Sequence, residues 1–476
     1  MFLDQPVAIT QPVNFANGAR LKAEYSDNAD KSAPKLIPTD ANASTKIAQS
    51  TTGKTYYVSG SGSDSNNGLS TSQAFRTLGR VGGLVKAGDT VYLMNGTYER
   101  NSSDTQIVVL YEKQGTASAP ITFKAYPGHN PLIKSKNAYA INIVRSSYII
   151  IEGLTLEGNN NNITKEYALQ QRYNSNNPLT KGTGIGINEK SHHITIRNNK
   201  ISNFGGHGIH SYRSDYVTIE KNIVARNAWY SPDGTSGIST QYNWNSDGVT
   251  DRYKMVIRDN IIYDNKNFVP WSSAGKITEG HGIIIDDCLN TQSASFHQRY
   301  NGRTLITNNI IYRNGGAGVN VYSSPNVDIV NNTTYQNGQV AETQGLGEIA
   351  TSSGSDRVKI FNNILYAKTG GVVNSLSRST NIQYNNNLIY NSSKFNAPGT
   401  NNILGKNPLF SDPDRGNFTL RSGSSAIDAG ASSFSGINAP SVDQLGFKRP
   451  VDGNADGRAV VDIGALEALS KAASAR

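Results

Sequence analysis

Between Lys276 and Asp287 the chain reads KITEGHGIIIDD, a lysine, a glutamate, a histidine and two aspartates gathered around three consecutive isoleucines. Paired carboxyl groups can flank a glycosidic bond and break it by acid–base catalysis. They can also supply the oxygen ligands that calcium prefers. A surface loop has little use for three β-branched apolar residues in a row, and a buried strand has little use for paired carboxylates. The stretch therefore demands an element that is apolar on one face and chemically active on the other.

Composition limits what that element can be. The chain has 476 residues, 46 glycines and abundant asparagine, enough length for a large core but not the aliphatic content of a helical enzyme. Its formal charge is +9 with the basic residues dispersed, which suits an acidic polymer and lacks the run of cations that marks a nucleic-acid tail. The single cysteine, Cys288, excludes an internal disulfide framework and a cysteine-based zinc cluster. No apolar run approaches the roughly 20 residues of a membrane span. The N-terminus has neither the basic region nor the apolar stretch of a signal peptide; an extracellular location is expected with the signal already removed, and a monomer.

Residues 1–54, rich in Ala, Asn, Ser, Thr and Lys without a period, read as an extended or disordered leader, and 468–476 as a tail. In between, Phe75, Leu78, Val81, Leu84 and Val85 fall at helical spacing, predicting one short amphipathic helix over 75–86. From about residue 140 the chain repeats: GIGINEKSHHITIRNNKISN, GIHSYRSDYVTIEKNIVARN and GVNVYSSPNVDIVNNTTYQN each hold three short strands and an Asn-containing pair. The pairs fall at Asn199, Asn222, Asn260, Asn309, Asn332, Asn363 and Asn387, with spacings of 23, 38, 49, 23, 31 and 24 residues. A unit near 23 residues with three strands is one coil of a solenoid, lengthened in places by a loop. The fold class is all-β: one parallel β-helix over 55–467, about ten coils from residue 90 to 430, with the helix as its cap.

In such a coil, alternate residues of a strand point inward and outward. Aligning the first strands by their glycines buries Ile185, Ile209, Ile238, Ile283 and Val319. It turns His210, Ser239, Ile284 and Asn320 outward in one column, and Asn188, Tyr212, Gln241, Asp286 and Tyr322 in a second. Glu189, Arg213, Tyr242 and Asp287 stand just past the strand ends. The substrate-binding candidates are His210, Tyr212, Arg213, Gln241, Glu279, Asp286 and Asp287. Each has a structural alternative. Arg213 can pair with Asp215 or Glu189, the tyrosines can stack under loops, and Asp286 and Asp287 can be held by Arg303 or Lys276, a network favoured over a calcium site. His207 and His281 read as structural. DGNADG (Asp452–Gly457) matches half of an EF-hand loop, but Ile463 stands where the bidentate glutamate belongs, so it reads as a plain turn. No metal or other cofactor is assigned.

The combination of YYVSGSGSDSNNG, KAGDTVYLMNGTY, SGIST, ITEGHGIIIDD, GRTLITNNIIYRNGGAGVNVYSSPNVDIVNNT, SAIDAG and VDIGALE resembles bacterial right-handed parallel β-helix proteins that include secreted polysaccharide lyases, and most resembles the alginate-lyase-like group of polysaccharide lyase family 31. The resemblance covers about residues 55 to 467, and the group more often has DGNGI where this chain has EGHGI. It implies β-elimination on a uronate polymer, most naturally alginate, in which a lysine removes the C5 proton and a tyrosine assists the leaving oxygen. Lys276 and Tyr242 are the positions best placed for that pair. Two other functions stay open: a glycoside hydrolase using Asp286, Asp287 and Glu279, and a non-catalytic glycan-binding solenoid.

Overall fold

A computed structural model of the protein describes residues 53–100, 106–174, 176–292 and 298–469. The proposed leader and tail, but for Gly53, Lys54, Ala468 and Leu469, lie outside the described residues.

Three parallel sheets run the length of the molecule among the described residues, two of eleven strands and one of nine. Each coil contributes one strand to each sheet, and neighbouring strands within a sheet come from successive coils. The nine-stranded sheet is built from Gln106–Tyr111, Tyr139–Val144, Thr183–Asn188, Ile209–Tyr212, Ile238–Gln241, Ile283–Asp286, Val319–Tyr322, Ile349–Ser352 and Asn374–Ser377. Its register stacks Ile185, Ile209, Ile238, Ile283, Val319 and Ile349 into one inward column, each without solvent exposure. Burying each of these β-branched side chains is worth about 1.5–3 kcal/mol, and a one-residue slip would expose the whole column. That penalty fixes which residues face outward.

Two outward columns result. One runs Val109, Asn142, Gly186, His210, Ser239, Ile284, Asn320; the other runs Tyr111, Val144, Asn188, Tyr212, Gln241, Asp286, Tyr322. The strand then ends in a left-handed corner. Glu189, Arg213, Tyr242 and Asp287 have φ of 51°, 51°, 50° and 47°, a conformation non-glycine residues seldom adopt. It breaks the alternation, so these four side chains leave the sheet's outer face.

Asparagines close the coils. The backbone N–H and the side-chain Nδ2 of Asn199 both donate to Oδ1 of Asn222, and the pattern repeats to Asn260, Asn309, Asn332, Asn363, Asn387 and Asn402. The ladder satisfies turn groups that would otherwise be buried without partners. A second ladder, Asn227, Asn265, Asn314 and Asn337, ends on the carboxyl of Glu348.

The capping helix spans Leu78–Leu84, shorter than the predicted 75–86, because the Thr77 side chain accepts from Arg80 N–H to start it and the backbone turns extended at Val85. At the other end the solenoid stops at Ile403–Leu404 rather than near 430. Two small antiparallel hairpins follow, Phe410–Asp412 with Asn417–Leu420 and Ser433–Phe434 with Ile437–Asn438.

Candidate functional site

The loops that lengthen the middle coils stand up beside the nine-stranded sheet and turn its outer face into a cleft of about 900 Å³. One wall carries Asn177, Pro178 and Lys181, from the short helix Pro178–Lys181, together with Asp233, Gly234, Thr235, Trp271 and Thr278. The floor is His210, Gln241, Ile284, Asp286 and Asn320, with Gln292 and Tyr322 opposite.

Two carboxyl groups enter this space. Glu279 precedes the Ile283–Asp286 strand, and its side chain lies against Gly234, where an added Cβ would sit 2.7 Å from Oε1. Ser236 Oγ donates to Glu279 Oε2 at 3.1 Å and accepts from His281 N–H at 3.2 Å, so one hydroxyl orients the glutamate and fixes the loop behind it. Burial raises the Glu279 carboxyl to about 7. Asp286 closes the same strand: its Oδ2 accepts from Gln241 Nε2 at 2.8 Å and its Oδ1 from Gln292 Nε2 at 3.2 Å. Burial first, then the negative charges of Glu279 and Asp287, push Asp286 well above the usual carboxylate range. Two like charges in a poorly solvated site resist ionising together, so the first proton lost makes the second harder to lose.

Three histidines surround the pair. His207 and His210 stack with ring centroids 4.3 Å apart and planes 12° from parallel. Burial holds His207 well below the ordinary imidazole value and brings His210 to about 4, so both rings are neutral at pH 7. His281 is fully buried and brought to about 3 by that burial. Its Nδ1 accepts from Ala317 N–H at 2.9 Å, which places the ring proton on Nε2, 3.0 Å from the side-chain amide of Asn320. With that amide oriented oxygen-first, the Nε2 proton meets the Asn320 Oδ1 that otherwise has no partner. His281 is thus a strut beneath the floor.

Sequence candidates divide by position. His210, Gln241, Glu279 and Asp286 line the cleft together. Asp287 does not: Oδ1 accepts from Thr291 N–H and Oγ1, and Oδ2 from Gln292 N–H, which folds the following turn. Neither Arg303 nor Lys276 holds the aspartates, as the sequence had suggested. Arg303 pairs with Asp328 at 2.5 Å, and a cation between Asp286 and Asp287 would have to displace the amide and hydroxyl donors of Gln241, Thr291 and Gln292. Arg213, in its left-handed corner, makes a 3.2 Å salt bridge to Glu189. Tyr212 and Tyr242 meet edge-to-face at 5.8 Å beside that corner, with burial lifting Tyr242 to about 12. Lys276 is exposed on the loop behind the wall, where its carbonyl accepts from Trp271 N–H. Lys276, Tyr242, Tyr212 and Arg213 are absent from the lining of the cleft.

The sequence reading missed His207, Lys181 and Asp233. The last two form a 2.6 Å salt bridge across the wall, and no periodicity announces a contact between separate insertions. Asp215, weighed as a partner for Arg213, is instead fully buried with Lys254 at 3.2 Å, and accepts from Tyr300 and Ser246.

Comparison with known proteins fits this architecture. Residues 183–389 match the family model described as a right handed beta helix region, and residues 60–280 match one described as a protein of unknown function, DUF1565. The fold is a right-handed parallel β-helix. Within it, the uncharacterized protein YwoF of Bacillus subtilis (strain 168) is 26% identical over 371 residues, covering 72% of this chain and 71% of that one. Among solved structures, pectate lyase Pel9A superimposes with a TM-score of 0.51 at 18% identity, over 88% of this β-helix and 98% of that chain. A glycoside hydrolase gives 0.51 at 9% identity, over 77% and 99%. At such identities the likeness is one of fold, and solved β-helix neighbours include both lyases and hydrolases.

Proposed function

We propose that this β-helix protein is a carbohydrate-active enzyme that hydrolyses a glycosidic bond in the cleft over the nine-stranded sheet, with Glu279 and Asp286 as the working pair. The observation that carries this reading is the meeting of two carboxyl groups of unequal environment in one open cleft. Near pH 7 one proton is shared unequally: Asp286, the more strongly raised, keeps it and protonates the departing oxygen, while Glu279 ionises and either activates water or attacks the sugar. The anomeric configuration of the first product distinguishes those two roles. Gln241 and Gln292 hold Asp286 in place, Ser236 holds Glu279, and the neutral His210 offers a hydrogen bond to sugar hydroxyls.

The lining favours an uncharged sugar at the point of cleavage. Its one lysine is paired with Asp233, its histidines are neutral, and no arginine lines it. A second reading, β-elimination on a uronate polymer such as alginate, is favoured by the +9 charge of the chain and requires Lys276 or another base to reach the cleft. Either activity on a polymer belongs outside the cell. The deciding experiment is incubation with a panel of neutral and acidic polysaccharides while following both reducing ends and ultraviolet absorbance. Reducing ends without absorbance support hydrolysis. Absorbance from an unsaturated uronate overturns it in favour of elimination, and no product on any polymer overturns both.

A further inference from the structure

A second concavity, of about 600 Å³, lies between the capping helix and the first strand of the nine-stranded sheet. Its lining brings together Arg80, Arg100 and Lys113, with Tyr111 and Gln106 from the strand. Asp64 also lines it, but that carboxylate already accepts from Arg76 N–H, Thr77 N–H and Thr77 Oγ1. Lys113 donates one of its three N–H bonds to the carbonyl of Gly83 at 2.7 Å, which holds the ammonium over the end of the helix. Tyr111 is 46% exposed, an unusual position for a large ring, and Arg145 steadies it by donating to its hydroxyl at 2.7 Å.

The helix itself is shaped for this space. It reads LGRVGGL, although each interior glycine costs a helix about 1 kcal/mol relative to alanine. Gly82 is explained by packing, since a Cβ there would sit 2.7 Å from Val108. Gly83 is not: a Cβ there would meet nothing within 4 Å, and it faces the concavity. The register adds a direction. Tyr111 stands in the same outward column as Asp286, five strand steps away, or about 24 Å at the spacing of adjacent strands.

We infer that this concavity is a binding site for the carboxylate or sulfate group of an acidic glycan, whose sugar ring lies against Tyr111 while Arg80, Arg100 and Lys113 take the anion. The site places the protein's capacity for acidic polymers at the cap, away from a cleft whose lining is suited to neutral sugar. It does not depend on the chemistry proposed for Glu279 and Asp286.

The test is calorimetric binding to the full chain of tetragalacturonate, of an uncharged tetrasaccharide and of inorganic sulfate. Tetragalacturonate should bind, weaken with added salt, and lose at least about tenfold in affinity in Arg80→Gln/Lys113→Gln, the loss expected when charge-assisted hydrogen bonds are removed. Gly83→Leu should fill the space and block binding while favouring the helix, which guards against a merely unfolded variant. Glu279→Gln should leave binding unchanged, so failure of the hydrolytic reading cannot be confused with failure of this one. Equal binding of the uncharged sugar, sulfate binding as tightly as the oligosaccharide, or tetragalacturonate affinity that survives the double substitution would each overturn the proposal.

Discussion

Glu279→Gln should abolish turnover and make the protein more stable, and the two effects have one cause. Burial holds the folded-state carboxyl near 7 against a model value of 4.5. Between those values the folded chain binds more protons than the unfolded chain, so folding stability falls as pH rises from the lower to the upper. A difference of that size corresponds to at most about 3 kcal/mol, and to about 1–2 kcal/mol once cleft water at the half-buried side chain is allowed for. Glutamine keeps the Ser236 hydrogen bond and the shape but never ionises. The variant should therefore match the wild type below pH 4.5 and exceed it in thermal midpoint above pH 7, while catalysis drops by a factor on the order of 100 or more. Thermal unfolding of both proteins across that range is the assay. A variant less stable than wild type at pH 8, or a gain that persists unchanged at acid pH, would refute the assignment of Glu279 as a buried, strained acid.

Four further outcomes follow from the geometry. Activity of the wild type should trace a bell against pH, rising through about 7 as Glu279 ionises and falling at higher pH as Asp286 does, which initial rates will show. Gly234→Ala should impair turnover with little loss of stability, because the new Cβ, 2.7 Å from Glu279 Oε1, pushes the carboxyl off Ser236; unchanged kinetics would mean the carboxyl position is irrelevant. Lys276→Ala should leave turnover within about twofold of wild type, whereas a loss on the order of 100-fold would restore the elimination reading. Asn309→Ala leaves the N–H of Asn260 buried without its acceptor and should lower stability by about 1–3 kcal/mol in chemical denaturation.

What the sequence made legible is what the repeat controls. Strand alternation depends only on a period of two, so the outward positions of His210, Gln241 and Asp286 follow from the isoleucines beside them. Alternation ends where the backbone turns left-handed. Arg213, Tyr242 and Asp287 looked like continuations of the active face, yet their corners direct them into the rim, and no pattern of residue types marks φ. The cleft walls were illegible for another reason. Lys181 and Asp233 meet because two insertions in neighbouring coils fold toward each other, a contact between segments 52 residues apart with no shared period. The second asparagine ladder was hidden by its ending: the last member is Glu348, which breaks the residue type while preserving the position.

That ending has an electrical logic. In both ladders every amide oxygen faces the preceding coil and every N–H faces the following one, so the amide dipoles line up head to tail along the axis as peptide units do in an α-helix. Their positive pole accumulates at the C-terminal end of each stack. In the second stack this pole meets Glu348, whose two oxygens accept both donors of Asn337 at 3.0 and 2.6 Å. Burial alone lifts Glu348 to about 8, opposed by those same hydrogen bonds. A carboxyl group at that place halts the column as an acidic residue halts the exposed amides at the start of a helix. The polarity also makes the stack directional: glutamate is tolerated at its final rung and nowhere before it, since a carboxylate has no N–H to pass on to the next coil.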